Sequence, residues 1–403
     1  MRILQICNKS PYPPLEGGPI AMNNITEGLL QEGHSVTILA INTPKYHVDV
    51  KTIPAEYKEK TSFEAVYINT RIKTIPALQN ILSGKSYHIQ RFISKKFENK
   101  LVEILKKNTF DIIHLESLYV TPYIHAIREH SKAPIILRTH NIEHLIWSRV
   151  ASGCKNPIKR SVLLTFAEQL EKYELSVLKQ CDGIASITLK DSLFFKQICD
   201  RVPVIDIPFG INMNNYTMSE QPEDNDFPSL FYIGSLDWLP NIEGLEWFLD
   251  EVWPAINQRH PDLKFYVAGR NMPDRIKNTI APNVIALGEV ADAVEFMRSK
   301  SIMLVPLFSG SGIRIKIIEG MAMQKTIIST KIGAEGIHYT NRKNIMIANT
   351  PDEFLSAISE CVKDKTLCKN IGENARNLVI RENNIEVQIK RLVEFYTMVK
   401  DMK

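Results

Sequence analysis

Short apolar, β-branched runs alternate with longer amphipathic stretches along the whole of this 403-residue chain, and that alternation leaves few architectures open. Strand, helix and strand in series join parallel strands through crossover helices. In the first half the pattern predicts strands at 2–6, 35–39, 112–115, 134–139 and 183–187, with helices at 20–32 and 169–180. In the second half it predicts strands at 229–233, 264–268, 284–287, 302–306, 326–329 and 345–348, with helices at 242–252, 291–300, 313–323 and 352–363. Such short apolar strands suit sheets covered on both faces. The length exceeds one ordinary α/β domain and suits two of about 200 residues each.

The stretch "MSEQPEDNDFPS" at 218–229 is acidic, polar and without an apolar period, as a linker would be. The expected organisation is therefore a first Rossmann-like domain over 1–217, a linker over 218–228, a second Rossmann-like domain over 229–383, and an amphipathic terminal helix over 384–403 that could cross back to the first domain. The fold class is α/β, with two doubly wound domains expected to face each other across a cleft. Ligands of open α/β sheets bind beyond the carboxyl ends of the strands, so functional motifs belong just after strands.

Composition removes several function classes. The net charge of +4 is too small, and too unaccompanied by motifs, for a nucleic-acid partner. No apolar run of about 18 residues is present to span a bilayer. The opening "MRILQICN" reads as a strand rather than a signal peptide, so a cytoplasmic chain is expected. Six cysteines (Cys7, Cys154, Cys181, Cys199, Cys361 and Cys368) show no metal-ligand or disulfide rhythm, so neither a disulfide framework nor a structural zinc site is expected; no cofactor is expected either.

The strongest motif is "SGSGIRIKIIEGMAMQKTIIST" at 309–330, directly after the strand at 302–306. A flexible turn through Ser311 and Gly312 opens a helix at Ile313, where backbone N–H groups and the helix dipole favour an anion. Lys316 and Glu319 are three apart and share a helix face. Arg314, two residues before Lys316, reaches the same anion only from the irregular helix start. An exposed Lys–Glu pair worth little is the alternative; the setting after a strand, with a Gly-bounded loop at 333–336 on the same edge, favours a site. Gly234 and Ser235, after the strand at 229–233, could turn the backbone against a ligand, with Trp238, Pro240 and Asn241 stiffening the loop behind them.

In the first half, Gly17 and Gly18 open a helix after the first strand, either as an anion-binding loop or as a tight turn. The pattern is not GxGxxG, which weakens a dinucleotide reading. His140 ends the strand at 134–139 and could donate to a phosphate or sugar hydroxyl. His144 lies one turn on, but a third metal ligand is missing, and Asn141 could simply cap a helix. His114 and Glu116 follow another strand, poised equally between cleft and scaffold.

The 309–330 stretch resembles the donor-binding motif of family 4 glycosyltransferases, which have the GT-B fold. Glu319 matches the second glutamate of the family's E-x7-E, which holds the nucleotide ribose. Ser311 stands where the first glutamate, which contacts the transferred sugar, would be. The loop "GSLDWLPN" lacks the cations the family often carries there, and Arg314 and Lys316 are read as supplying that charge. "THNIE" resembles the family's histidine loop, matching His140 to the residue that stabilises the bound sugar. The loop ending in Gly17 and Gly18, "QEGHSVTIL" and "PFGINMNNY" are similar as well, so that nearly the whole chain is covered.

The resemblance implies a retaining, metal-independent glycosyltransferase. It would move a sugar from a nucleotide-diphosphate donor to a glycan or lipid-linked acceptor, in cell-surface polysaccharide synthesis. His140, Arg314 and Lys316 would be catalytic, and Gly234, Ser235, Ser311, Gly312, Ile313 and Glu319 would bind the donor. A nucleotide-sugar epimerase of the same fold and a non-catalytic nucleotide-sugar-binding protein are the alternatives. The stretch at 88–107 predicts a basic amphipathic helix whose apolar line runs through Ile89, Ile93, Phe97 and Leu101. It would serve either as a core helix with a solvated face or as a peripheral contact with the inner face of a membrane.

Overall fold

The computed structural model describes residues 1–15, 17–72, 80, 83–217, 226–310 and 312–403. The chain forms two compact units, one of Met1–Gly210 with Ile385–Lys403, the other of Ile211–Asn384. Of the linker expected at 218–228, residues 218–225 lie outside the described residues.

The first unit is built on a seven-stranded parallel sheet: β1 (Arg2–Cys7), β2 (Ser35–Asn42), β3 (Glu64–Tyr67), β4 (Ile112–Glu116), β5 (Ile135–Thr139), β6 (Gly183–Ser186) and β7 (Val204–Asp206). The spatial order is β3-β2-β1-β4-β5-β6-β7, so the winding reverses between β1 and β4. Ile3 aligns with Ile112 and Cys7 with Glu116 across that junction.

Side chains alternate between the two faces, as the period of two requires. Leu4, Ile6, Ile113, Leu115, Ile135 and Leu137 enter one core with Phe97, Leu101, Leu170 and Phe195. Ile3, Cys7, Ile112 and Ile136 enter the other with Met22, Ile25 and Leu29 from the helix Gly17–Gln31. The terminal helix Ile385–Asp401 completes this second face through Ile389, Leu392, Phe395 and Tyr396. Each such side chain contributes about 1.5–3 kcal/mol by leaving water. At Gly28 a Cβ would lie 2.4 Å from Ile389 Cγ1, so the close helix–helix approach depends on that glycine.

The second unit repeats the plan with six strands: β8 (Ser229–Ile233), β9 (Lys264–Ala268), β10 (Val284–Gly288), β11 (Ile302–Val305), β12 (Thr326–Ser329) and β13 (Met346–Ile347). Their order is β10-β9-β8-β11-β12-β13, with the reversal between β8 and β11. One face of the sheet packs Leu230, Tyr232, Leu304 and Ile328 against Phe248, Trp253 and Phe354.

Several local expectations change. β3 and β7 were not predicted: Glu64 and Tyr67 break the apolar pattern, and β7 is three residues long and half-buried throughout. The helix expected at 169–180 is the end of one running from Pro157 to Leu178. The helix expected at 88–107 is broken into Tyr87–Gln90 and Lys95–Lys107, with Ser94 extended between them and Ile93 exposed rather than on the apolar line. The basic face of Lys95–Lys107 is partly neutralised by Lys95–Glu98, Lys100–Glu64, Lys100–Glu103 and Lys107–Glu103 pairs, the pattern of a solvated helix face. An 18-residue helix, Lys365–Glu382, went unpredicted because its composition is polar.

Candidate functional site

In an open parallel sheet, the two loops flanking the reversal of strand order splay apart and leave a crevice. In the second unit those are the loops after β8 and β11, which carry Gly234–Ser235 and the turn through 308–314. The turn owes its path to Gly310 (φ 100°) and Gly312 (φ 84°), both in the left-handed region that β-carbon-bearing residues avoid. The helix then runs Ile315–Ala322, two residues later than the sequence suggested. Arg314 occupies its extended cap position, and its side chain makes no cap bond. Ile313 therefore lies in the turn and not in the helix. Ser311 lies outside the described residues.

Lys316 reaches across to β8. Its Nζ donates to Ile233 O at 3.0 Å and Asn241 Oδ1 at 3.2 Å, and lies 4.5 Å from the centre of the Tyr232 ring. Asn241 Nδ2 donates to Ser235 O at 2.8 Å, so one buried amide fixes both the Gly234–Ser235 loop and the lysine. A Cβ on Gly234 would sit 3.0 Å from Lys316 Nζ and 3.1 Å from Asn241 Nδ2; the glycine makes room for the ammonium. Burial, and secondarily Arg314, push the Lys316 amine down to about 7. The Arg314 guanidinium lies 5.3 Å from the Trp238 ring centre and donates to Gly312 O; burial holds its pKa below the usual value while Glu335 opposes the shift.

Glu319 lies one turn beyond Lys316. Its Oε1 accepts from the Tyr216 hydroxyl at 2.9 Å, and burial raises its pKa, partly offset by that bond. Arg376 donates to Tyr216 O at 2.7 Å and to Ala322 O, tying the Met213–Tyr216 turn to the helix. Two cations and one carboxylate thus line one helix end with their geometry set by Asn241, Tyr216 and Arg376. Of these three the sequence reading singled out only Asn241, as part of a stiffening loop rather than as a partner of Lys316. Asn241 carried a weak signal, a polar residue behind Pro240 that ends up buried; Arg376 sits in the unpredicted helix.

In the first unit the structure separates the histidines. His140 Nε2 lies 2.7 Å from Glu116 Oε2, whereas His144 Nδ1 lies 2.7 Å from Glu174 Oε2; the two rings serve different carboxylates rather than one metal. Glu116 is fully buried and also accepts from Gln5 at 3.1 Å, His114 at 3.0 Å and Arg138 at 3.3 Å. Burial alone would raise its pKa, but Arg138 and His114 outweigh that and hold it well below the carboxylate range. His114 is fully buried too and bonds the Tyr396 hydroxyl, so both residues are scaffold behind His140.

An ionised partner at Nε2 fixes the proton there and leaves His140 Nδ1 as the acceptor. Burial lowers the His140 pKa, with Glu116 opposing, so the ring is a neutral acceptor at pH 7. Asn141 does not cap the following helix: Ile142 is at the cap position, and Glu174 accepts from the backbone N–H of Glu143 and His144 instead. Gly17 and Gly18 form the first residues of the helix Gly17–Gln31, with Gly18 packed on the Lys9 stem, 2.6 Å from Cε to an added Cβ.

Residues 227–364, all within the second unit, match the family described as Glycosyl transferases group 1. The chain is 24% identical over 394 residues to an uncharacterised 44.6 kDa protein in the cps region of Klebsiella pneumoniae, covering 95% of this chain and 96% of that one. It is 24% identical over 323 residues to an uncharacterised glycosyltransferase of Methanocaldococcus jannaschii, covering 78% and 81%. Among solved structures, sucrose-phosphate synthase from Thermosynechococcus elongatus superposes with a TM-score of 0.70 at 16% identity over 100% of both chains. Anabaena HepE in complex with UDP superposes with a TM-score of 0.68 at 14% identity, covering 99% and 100%. The fold class, two parallel-sheet α/β domains, is that of these GT-B glycosyltransferase neighbours.

Proposed function

We propose that this chain is a retaining, family 4 glycosyltransferase that moves a sugar, a hexose by resemblance, from a nucleotide-diphosphate donor to a glycan or lipid-linked acceptor. The observation that carries the reading is Lys316, held over β8 by Ile233 O and Asn241 with its amine pushed down to about 7. A half-buried amine with no carboxylate among its bonded partners is poised for an incoming anion. A diphosphate beside it would draw a proton onto it and hold the resulting charge.

Cleaving an anomeric C–O bond builds positive charge on the sugar and negative charge on the departing diphosphate. In this reading Lys316, Arg314 and the backbone at Gly312 and Ile313 stabilise the leaving charge, which needs no metal ion. Glu319, steadied by Tyr216, accepts from the ribose hydroxyls through Oε2. Gly234 and Ser235 line the donor side, and Ser311, in place of the first glutamate, would face the transferred sugar. His140 accepts a hydroxyl of the sugar or acceptor at Nδ1, and Gly17 and Gly18 contribute the acceptor-side loop. The UDP held by Anabaena HepE supports the donor class. The cps-region relative supports a role in polysaccharide synthesis.

Among the described residues no helix is long and apolar enough to cross a membrane. A cytoplasmic enzyme making peripheral contact with the membrane through Lys95–Lys107 fits a lipid-linked acceptor; pelleting with anionic liposomes tests that contact. The function itself is tested by incubating the purified chain with a panel of nucleotide-diphosphate sugars and measuring nucleoside diphosphate release. Release that Lys316→Ala abolishes supports the reading. Release of none, or an isomerised donor with no nucleotide freed, points to a binding protein or an epimerase. NMR of the product gives the anomeric configuration.

A further inference from the structure

The carboxylate behind His140 is reached from four directions. Glu116 Oε1 accepts from Gln5 Nε2 at 3.1 Å and His114 Nε2 at 3.0 Å; Oε2 accepts from Arg138 at 3.3 Å and His140 Nε2 at 2.7 Å. Two donors on each oxygen fill the lone-pair sites of a carboxylate, so a change in one donor is felt by the other three. Two of the donors are set in turn by helices. Gln5 Oε1 accepts from the Thr26 hydroxyl at 2.7 Å, on the helix Gly17–Gln31. His114 Nδ1 bonds the Tyr396 hydroxyl, on the terminal helix and 282 positions away in the chain. Gln5, Thr26, His114, Glu116 and Tyr396 are all fully buried.

The ionised Glu116 keeps the His114 proton on Nε2, as it does for His140, and leaves Nδ1 to accept from Tyr396. The chain therefore runs from the Tyr396 hydroxyl to His114 Nδ1, and from His114 Nε2 to Glu116, which also accepts from His140. Donation into Nδ1 draws electron density from the ring and makes Nε2–H a stronger donor; bonds in a buried chain polarise one another in this way. His114 then takes up more of the carboxylate charge, and less remains for His140. A buried tyrosine needs only a carbonyl to be satisfied: Tyr123, in the same unit, donates to Phe92 O at 2.7 Å. Tyr396 instead meets a ring that bears on Glu116. Its place is fixed on both sides, by Ile389 against Gly28, by Phe395 against Gly183, where a Cβ would lie 2.9 Å from Phe395 Cζ, and by Lys400 with Asp111 at 2.7 Å.

We propose that Tyr396 is a positioning residue for His140, acting through His114 and Glu116 to hold the ring and to set how strongly its Nδ1 accepts a hydrogen bond. The bearing on sugar transfer rests on the glycosyltransferase reading of His140; the coupling along the chain does not. The other charges that bear on His140 are Arg138 and Lys9, with Lys45, Arg71, Arg91 and Glu143 lining the same cavity, and none of them bonds Tyr396. Glu116 and Arg138 are the charges that bear on Tyr396 itself, and the Cys7 thiol beside them is pushed up by burial and stays neutral.

The test is imidazole nitrogen NMR of the histidine-labelled full chain, titrated from about pH 8 down to about pH 4, with His140→Asn assigning the signal. The chains are wild type, Tyr396→Phe, Val399→Ala, and a chain with an ortho-fluorinated tyrosine in place of Tyr396. Tyr396→Phe deletes the donor and keeps the ring. Fluorination keeps the hydroxyl and makes it a stronger donor. Val399→Ala opens a gap in the same buried helix face one turn on, without touching His114. The expected result is a His140 pKa that rises by about 0.2–0.5 in Tyr396→Phe, falls in the fluorinated chain and stays put in Val399→Ala, although Val399→Ala lowers the melting temperature. The proposal is overturned by a His140 titration indifferent to Tyr396→Phe, by shifts of the same sign in both ring variants, or by a shift that Val399→Ala reproduces. If Tyr396→Phe does not fold, the fluorinated chain decides alone, a fall supporting the coupling and no fall overturning it. Sugar transfer is scored separately. Its acid limb should move to higher pH in Tyr396→Phe along with His140; a limb that stays put while the NMR value moves removes His140 from the reaction and leaves the coupling standing.

Discussion

Replacing Lys316 with methionine keeps the apolar stem and deletes the amine, and the structure gives that change a pH-dependent sign. Burial and Arg314 take the amine from 10.5 to about 7. At about 1.4 kcal/mol per tenfold change in proton affinity, holding that charge in the ligand-free fold costs at most about 4–5 kcal/mol. The cost is full below pH 7. It declines as pH rises, because the unfolded chain then carries the extra proton, and it vanishes above 10.5. Against it stand the bonds to Ile233 O and Asn241 Oδ1, together worth about 2 kcal/mol.

The methionine chain should therefore be about 2–3 kcal/mol more stable than its parent at neutral pH, equal near pH 9, and about 2 kcal/mol less stable in strong alkali. Urea unfolding followed by tryptophan fluorescence reads the correct unit, since Trp238, Trp247 and Trp253, three of the four tryptophans, belong to it. A stability difference that stays constant from pH 6.5 to 10 would refute the buried, depressed amine and the leaving-group role built on it.

The remaining predictions follow from the same contacts. Nucleoside diphosphate affinity should fall as pH rises above about 7, by up to tenfold per pH unit, as binding must then protonate Lys316; calorimetry in two buffers of different ionisation heat should show proton uptake that Lys316→Ala removes. Gly234→Ala drives a methyl group toward the lysine amine, 3.0 Å away, and should weaken donor binding about tenfold with little change in melting temperature. Glu116→Gln leaves Arg138 buried beside a neutral amide and should destabilise the first unit by about 3 kcal/mol, read by chemical denaturation. Sugar transfer should persist in excess EDTA; loss restored by a divalent cation would count against a metal-free leaving group.

Much of the architecture was legible because it rests on local periodicity. Runs such as Ile112–Glu116 and Ile302–Val305 are apolar throughout, since both faces of a parallel sheet are covered. β7 escaped notice because its three residues are half-buried and carry no such signature. The helix at 88–107 was misjudged because apolar spacing alone continues past Ser94, where the backbone turns extended. At the site, Lys316 and Glu319 were legible as a helix-face pair after a Gly-rich turn. Their partners were not, because Asn241, Tyr216 and Arg376 lie 75, 103 and 54 positions from the residues they hold.

What the sequence determined by itself was the alternation of strand and helix and the placing of glycines and cations just after strands. These depend on neighbours a few positions apart. Only the tertiary structure decided that the reversal of winding falls between β8 and β11, setting Asn241 against Lys316, and that Glu116 is scaffold behind His140. Those outcomes turn on which strands become neighbours and how much water burial removes from a charge, and no local pattern encodes either.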